Sequence, residues 1–92
     1  MKRQQTLEIL IRDKPFLAAR YGVVRLALFG STVRDEARTD SDIDIVVSFD
    51  GPATSERYFG VQFHLEDALG CPVDLVLRHE LKPFIEKEMV DV

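Results

Sequence analysis

One cysteine, Cys71, stands in the sequence, with no CxxC pair and no Cys/His cluster. An internal disulfide and a thiolate zinc site are both excluded, and a reducing compartment, the cytoplasm, is the expected address. Long apolar runs are also missing. The longest span only a few residues, and Met1 to Gln5 lead directly into an amphipathic pattern, so neither a membrane span nor a signal segment is expected. Basic excess is absent too. Twelve Lys and Arg against sixteen Asp and Glu give a net charge of -4, the reverse of what binding to a phosphate backbone favours, so no direct contact with DNA is expected. There is no repeat, linker or low-complexity tract. Ninety-two residues, 46% hydrophobic and 30% charged, suit one small globular domain spanning 1–92.

What is present alternates between helical and extended patterns. Leu7, Leu10 and Ile11 predict a helix over Thr6–Tyr21, with a break near Pro15 and a stop at Gly22. The β-branched apolar run Val23–Phe29 predicts a buried strand, after which Ser31 can cap a short helix through Ala37. Asp42–Phe49 alternates as a second strand and ends at the turn residues Asp50, Gly51 and Pro52. Ser55–Leu69 reads as a helix with Ser55 as cap and Gly70 as stop. Val73–Leu77 reads as a third strand, and Leu81–Val90 as a last helix carrying Leu81, Phe84, Ile85 and Met89 on one face. The order α-β-α-β-α-β-α predicts an α/β (α+β) fold, a small mixed sheet flanked by helices.

The acids are concentrated. Six lie between Asp35 and Asp50, with Arg38 the sole base among them. On a strand, Asp42 and Asp44 share a face about 7 Å apart, while Ile43, Ile45 and Val47 take the other. Aspartate is disfavoured in strands and like charges repel, so folding alone does not ask for this pair. A divalent cation turns the repulsion into attraction, and hard oxygen donors suit Mg²⁺ or Mn²⁺. Asp74 repeats the anomaly in the third strand. Were that strand beside the second, three carboxylates would converge and could hold one or two ions, as in-line phosphoryl displacement requires. The competing reading is a sheet face of merely solvated acids. A calcium loop is excluded, because the sixth position from Asp40 is Ile45 and the twelfth is Gly51, where Gly and Glu are needed.

Gly30 and Ser31 stand where the first strand meets a helix start. Glycine admits close phosphate approach, and serine offers a hydroxyl and an N–H at a partially positive helix end. Neither GK[ST] nor GxGxxG occurs, so this is neither a P-loop nor a dinucleotide turn. The stretch Gly30-Ser31-x-x-Arg34-x-x-Ala37-x-x-x-Ser41-Asp42-Ile43-Asp44, with Val73-Asp74-Leu75-Val76, resembles the signature of the DNA polymerase beta-like nucleotidyltransferases. The short chain resembles their minimal (MNT) subgroup. That resemblance implies a triphosphate held by Gly30 and Ser31, metal at Asp42 and Asp44, and Asp74 as the third acid, completing the metal site and activating the attacking hydroxyl. It also implies ATP as substrate, Mg²⁺ as cofactor and a HEPN-domain toxin as partner. AMP would pass to a tyrosine of that toxin, with the protein acting as antitoxin. The alternative is an antitoxin that neutralises its partner by occlusion alone. Asp35 departs from the Gly that many relatives carry after the motif Arg. The extra domain by which larger relatives bind aminoglycosides, tRNA or primer strands is lacking, so acceptor recognition is expected to come from a partner surface.

Of the remaining residues, Arg34 returns to the Ser31 face of a helix, where it can meet phosphate or pair with a nearby Asp. Ser41 suits capping or orienting the loop before Asp42. His64, His79 and Cys71 read as surface or packing groups. Tyr58, Phe59, Phe63 and the Phe84/Ile85/Met89 stripe read as core by default. With so little interior to share among seven elements, part of this apolar surface is expected to meet another chain, of the same or a different kind.

Overall fold

The computed structural model describes residues 3–29, 43–80 and 89–92. Helix α1, Arg3–Tyr21, is followed by strand β1, Val23–Phe29, and strand β2, Ile43–Phe49. Helix α2, Ser55–Leu69, then leads to strand β3, Val73–Leu77, a 3₁₀ turn at Arg78–Glu80, and strand β4, Val90–Asp91. The sheet order is β3-β2-β1-β4. Strand β1 runs antiparallel to both β2 and β4, and β2 runs parallel to β3. Parallel neighbours cannot be joined by a tight turn, which is why α2 intervenes as the crossover. The mixed sheet flanked by helices is the α/β arrangement read from the sequence.

Four local expectations are corrected. Helix α1 passes through Pro15 without a break; Pro15 and Ile11, whose carbonyl loses its partner, both lie on the exposed side, where water can take the bond. The cap of α2 is Thr54 rather than Ser55, its hydroxyl accepting from the Arg57 N–H at 3.2 Å. Val90 is not helical. It pairs with Leu28 along the outer edge of β1, and the Val92 N–H donates to the Leu26 carbonyl at 2.9 Å. A helix there would leave that edge without its ladder partners. Phe59 and Phe63 are not core, being 48% and 63% exposed on the outer side of α2. The short helix expected after Ser31, and residues 81–88 of the last expected helix, lie outside the described residues.

The core forms on one face of the sheet. Leu10 and Leu17 of α1 and Val61, Leu65 and Leu69 of α2 cover Leu26, Leu28, Ile43, Ile45, Val47, Val73 and Leu75. Cys71 is half-buried at its margin. Gly22 makes the turn from α1 into β1 at φ 76° and receives the Asp50 N–H on its carbonyl at 2.8 Å. A Cβ there would lie 2.6 Å from an Asp50 carboxylate oxygen, so space and backbone both require glycine. Where the helices meet, His64 stacks on Phe16 with ring centres 4.8 Å apart and lies 3.2 Å from Asp13. Asp13 also pairs with Arg12 at 2.8 Å, and its carboxyl is held below the usual range chiefly by that hydrogen bond.

Candidate active site

The strand alternation that buries Ile43 and Ile45 sends Asp44 to the face away from the helices, and the alternation in β3 does the same for Asp74. In the parallel register Asp44 is the partner of Asp74, and across the antiparallel pair it is the partner of Phe29. One row therefore crosses three strands as Phe29, Asp44 and Asp74. Asp44 is half-buried and Asp74 exposed. Neighbouring strands stand about 4.8 Å apart, so two carboxylates directly opposite one another repel unless something cationic lies between them.

That donor set fits a hard divalent cation: anionic oxygens only, on two rigid strands, open to solvent on one side. Among the described residues no third acid, cysteine or histidine joins the pair to complete a cluster. Asp42, the third expected ligand in this region, lies outside the described residues, as do Gly30, Ser31, Arg34 and Ser41. Their neighbours are described. Phe29, which precedes Gly30, sits in the acid row, and Ile43, which follows Asp42, donates its N–H to the Pro72 carbonyl at 3.1 Å. The chain thus leaves β1 and enters β2 at the end of the sheet where the acids lie.

An open hollow of about 370 Å³ occupies the other end of the same strands, lined by Val47, Phe49, Pro52, Leu77, Arg78 and His79 among others. It is remote from Asp44 and Asp74, which stand near the beginnings of β2 and β3. His79 lies there rather than with the acids.

Three side chains that the sequence reading did not single out for this role bear on β3. Tyr58, Gln62 and Glu66 recur every four residues along α2 and all reach the backbone of that strand. The Tyr58 hydroxyl donates to the Leu75 carbonyl, Gln62 Nε2 donates to the Val73 carbonyl at 3.1 Å, and a Glu66 carboxylate oxygen accepts from the Val73 N–H at 3.0 Å. Burial raises the Tyr58 pKa, with the charges of Asp74 and Glu80 adding to the shift. The available signal was the four-residue spacing of groups able to hydrogen bond, but a polar helix stripe ordinarily faces water.

Residues 10–91 match the model of the nucleotidyltransferase domain family. The chain belongs to that family. Over 82 residues this nucleotidyltransferase is 40% identical to the protein adenylyltransferase MntA of Thermococcus cleftensis, a match covering 89% of this chain and 83% of that one. A candidate minimal nucleotidyltransferase of known structure superposes with a TM-score of 0.80 at 34% identity, covering 100% of this chain and 97% of that one. The fold also recurs, at 19% identity and a TM-score of 0.66, in a structure of a tri-AMPylated Shewanella oneidensis HEPN toxin in complex with its MNT antitoxin. That match covers 97% of this nucleotidyltransferase and 70% of the other chain. Among the described residues no helix is long and apolar enough to cross a membrane.

Proposed function

We propose that this nucleotidyltransferase is a single minimal domain that transfers AMP from ATP to a hydroxyl, a tyrosine, of a HEPN-type partner, and thereby acts as its antitoxin in the cytoplasm. The observation that carries the reading is the Asp44/Asp74 pair, in register on neighbouring strands at the end of the sheet where β1 runs out. Asp42 and Asp44 would bind the metal, Asp74 would complete the site and draw the proton from the acceptor hydroxyl, and Gly30 and Ser31 would hold the triphosphate, with Arg34 and Ser41 beside it. Magnesium bound by these acids would neutralise phosphate charge and lower the pKa of the acceptor. In the transfer, the acceptor oxygen bonds to the α-phosphorus, the bond to the bridging oxygen breaks, and pyrophosphate leaves. A protein acceptor is supported by the exposed aromatic surface of α2, where Phe59 and Phe63 stack with ring centres 6.0 Å apart.

The test is to incubate the protein with ATP labelled at the α-phosphate, Mg²⁺ and a co-expressed HEPN-type partner, and to locate the label. Label on the partner with wild type, and none with Asp44→Asn, is the expected result. A complex that forms and silences the partner equally well with Asp44→Asn would favour the occlusion reading, for which the same aromatic surface speaks. Gly30→Val should block the triphosphate by filling the space it needs while circular dichroism reports an intact fold.

A further inference from the structure

We infer that Tyr58, Gln62 and Glu66 are positioning residues that hold Asp74 in register with Asp44, an inference that rests on the metal reading of those two acids. Among the described residues, strand β3 lies at the end of the sheet order and pairs on one side only, with β2. Its five residues begin directly after the Gly70-Cys71-Pro72 turn, and parallel pairing is the weaker kind per residue. Left there, the strand that carries Asp74 would be free to shift along or away from β2, and every such shift would change the distance to Asp44. A metal site tolerates little of that, since its ligands must be held to about 0.5 Å.

On the outer side of β3, α2 side chains make the bonds that the backbone of a further strand would make. Both backbone polar groups of Val73 and the carbonyl of Leu75 are bonded by α2 side chains, so the residues immediately before and after Asp74 are each fixed from outside. The three groups are also matched in kind. Tyr58 and Gln62 present donors to carbonyls, and Glu66 presents an acceptor to an N–H. Because α2 is itself seated by Val61, Leu65 and Leu69 on the sheet, the register is referred back to the core that also holds β2. The hydrogen bonds these three side chains make to β3 run to its backbone, and it is through that backbone that they position Asp74.

The experiment measures Mn²⁺ affinity in the presence of a non-hydrolysable ATP analogue, by electron paramagnetic resonance, at a temperature where melts show every variant folded. Tyr58→Phe and Gln62→Met, singly and together, remove donors while keeping shape, and the double variant should weaken Mn²⁺ about ten-fold, the scale of losing support behind a ligand. Glu66→Met should weaken it, whereas Glu66→Gln, which keeps an acceptor oxygen, should restore near wild-type affinity. Asp67→Asn, exposed on the same helix, should leave it unchanged. If the single and double variants melt lower but bind Mn²⁺ as wild type does, the residues are only structural and the inference falls. If Asp74→Asn binds as wild type does, the metal reading beneath it is what fails, and the two failures are told apart by that variant.

Discussion

Strand β2 presents two surfaces that share seven residues and almost no chemistry. Ile43, Ile45 and Val47 are at most 2% exposed beneath the helices, whereas Asp44 and Ser48 on the opposite face remain partly open. The contrast extends sideways in both directions. Leu26 and Leu28 of β1 and Val73 and Leu75 of β3 continue the apolar face, while Arg25 and Asp74 stand on the other. The second face is not uniformly wet, because Ala27 and Val46, partners across β1 and β2, are 2% and 1% exposed. The helix-covered face supplies cohesion and gains from every methyl group added. The other places charges where folding alone would not, one residue away from the core.

The largest loss is expected on the apolar side. Ile45→Ala should cost about 2–5 kcal/mol, since it removes a fully buried branched side chain and leaves a cavity; urea melts would read this as a lowered midpoint with an unchanged slope. On the acidic side the sign reverses. Asp74→Asn, measured with EDTA, should stabilise the protein by about 0.2–1 kcal/mol by removing a like charge from the position opposite Asp44. The same variant should lose most of the rise in melting temperature that Mg²⁺ with ATP gives wild type, because a ligand stabilises only as far as it binds the native state. A destabilised Asp74→Asn that still responds fully to Mg²⁺ with ATP would remove this acid from the site.

Two smaller effects sharpen the contrast through pH. The Tyr58 hydroxyl has its pKa raised in the fold. Above about pH 10 the unfolded chain ionises this group while the folded chain resists, so stability falls as pH rises through that window. Tyr58→Phe should flatten this alkaline loss in thermal melts. The Asp13 carboxyl is shifted the other way, so its contribution is present above about pH 4 and fades as pH falls further. Asp13→Asn should lower stability slightly above about pH 4 and flatten a small part of the loss below it, as melts between pH 2 and pH 7, a range set by ordinary carboxylate values of about 4, would show.

What the sequence disclosed and what it withheld follow from how local each signal is. The boundaries of β1 and β3 and the span of α2 were legible because apolar period, Gly22 and Gly70 act within a few residues of the chain. The unbroken course of α1 was not, since the cost of Pro15 depends on whether the orphaned carbonyl faces water. Strand β4 was illegible in principle: Val90 and Asp91 are extended because Ala27 and Leu28 are there to be paired, and nothing in their own neighbourhood says so. The charge anomaly of Asp44 and Asp74 could be read residue by residue, but that they are partners depends on register, which belongs to two strands and the helix between them. The motif residues Gly30, Ser31, Arg34, Ser41 and Asp42 were named from spacing and from resemblance, and they lie outside the described residues.

The side chains of α2 that take up the backbone of β3 have a consequence for the company the protein keeps. An open sheet edge is a template on which any extended segment can lay a further strand, which is how small sheet proteins come to aggregate or to swap elements. Here the outward-facing groups of Val73 and the carbonyl of Leu75 are already taken by Tyr58, Gln62 and Glu66. The opposite margin is β4, only two residues long and tied down by the Arg25 to Asp91 ion pair at 3.0 Å. Among the described residues, neither margin offers a long row of waiting amides. Association is therefore directed away from backbone pairing and toward side chains, where the choice of neighbour can depend on shape and charge.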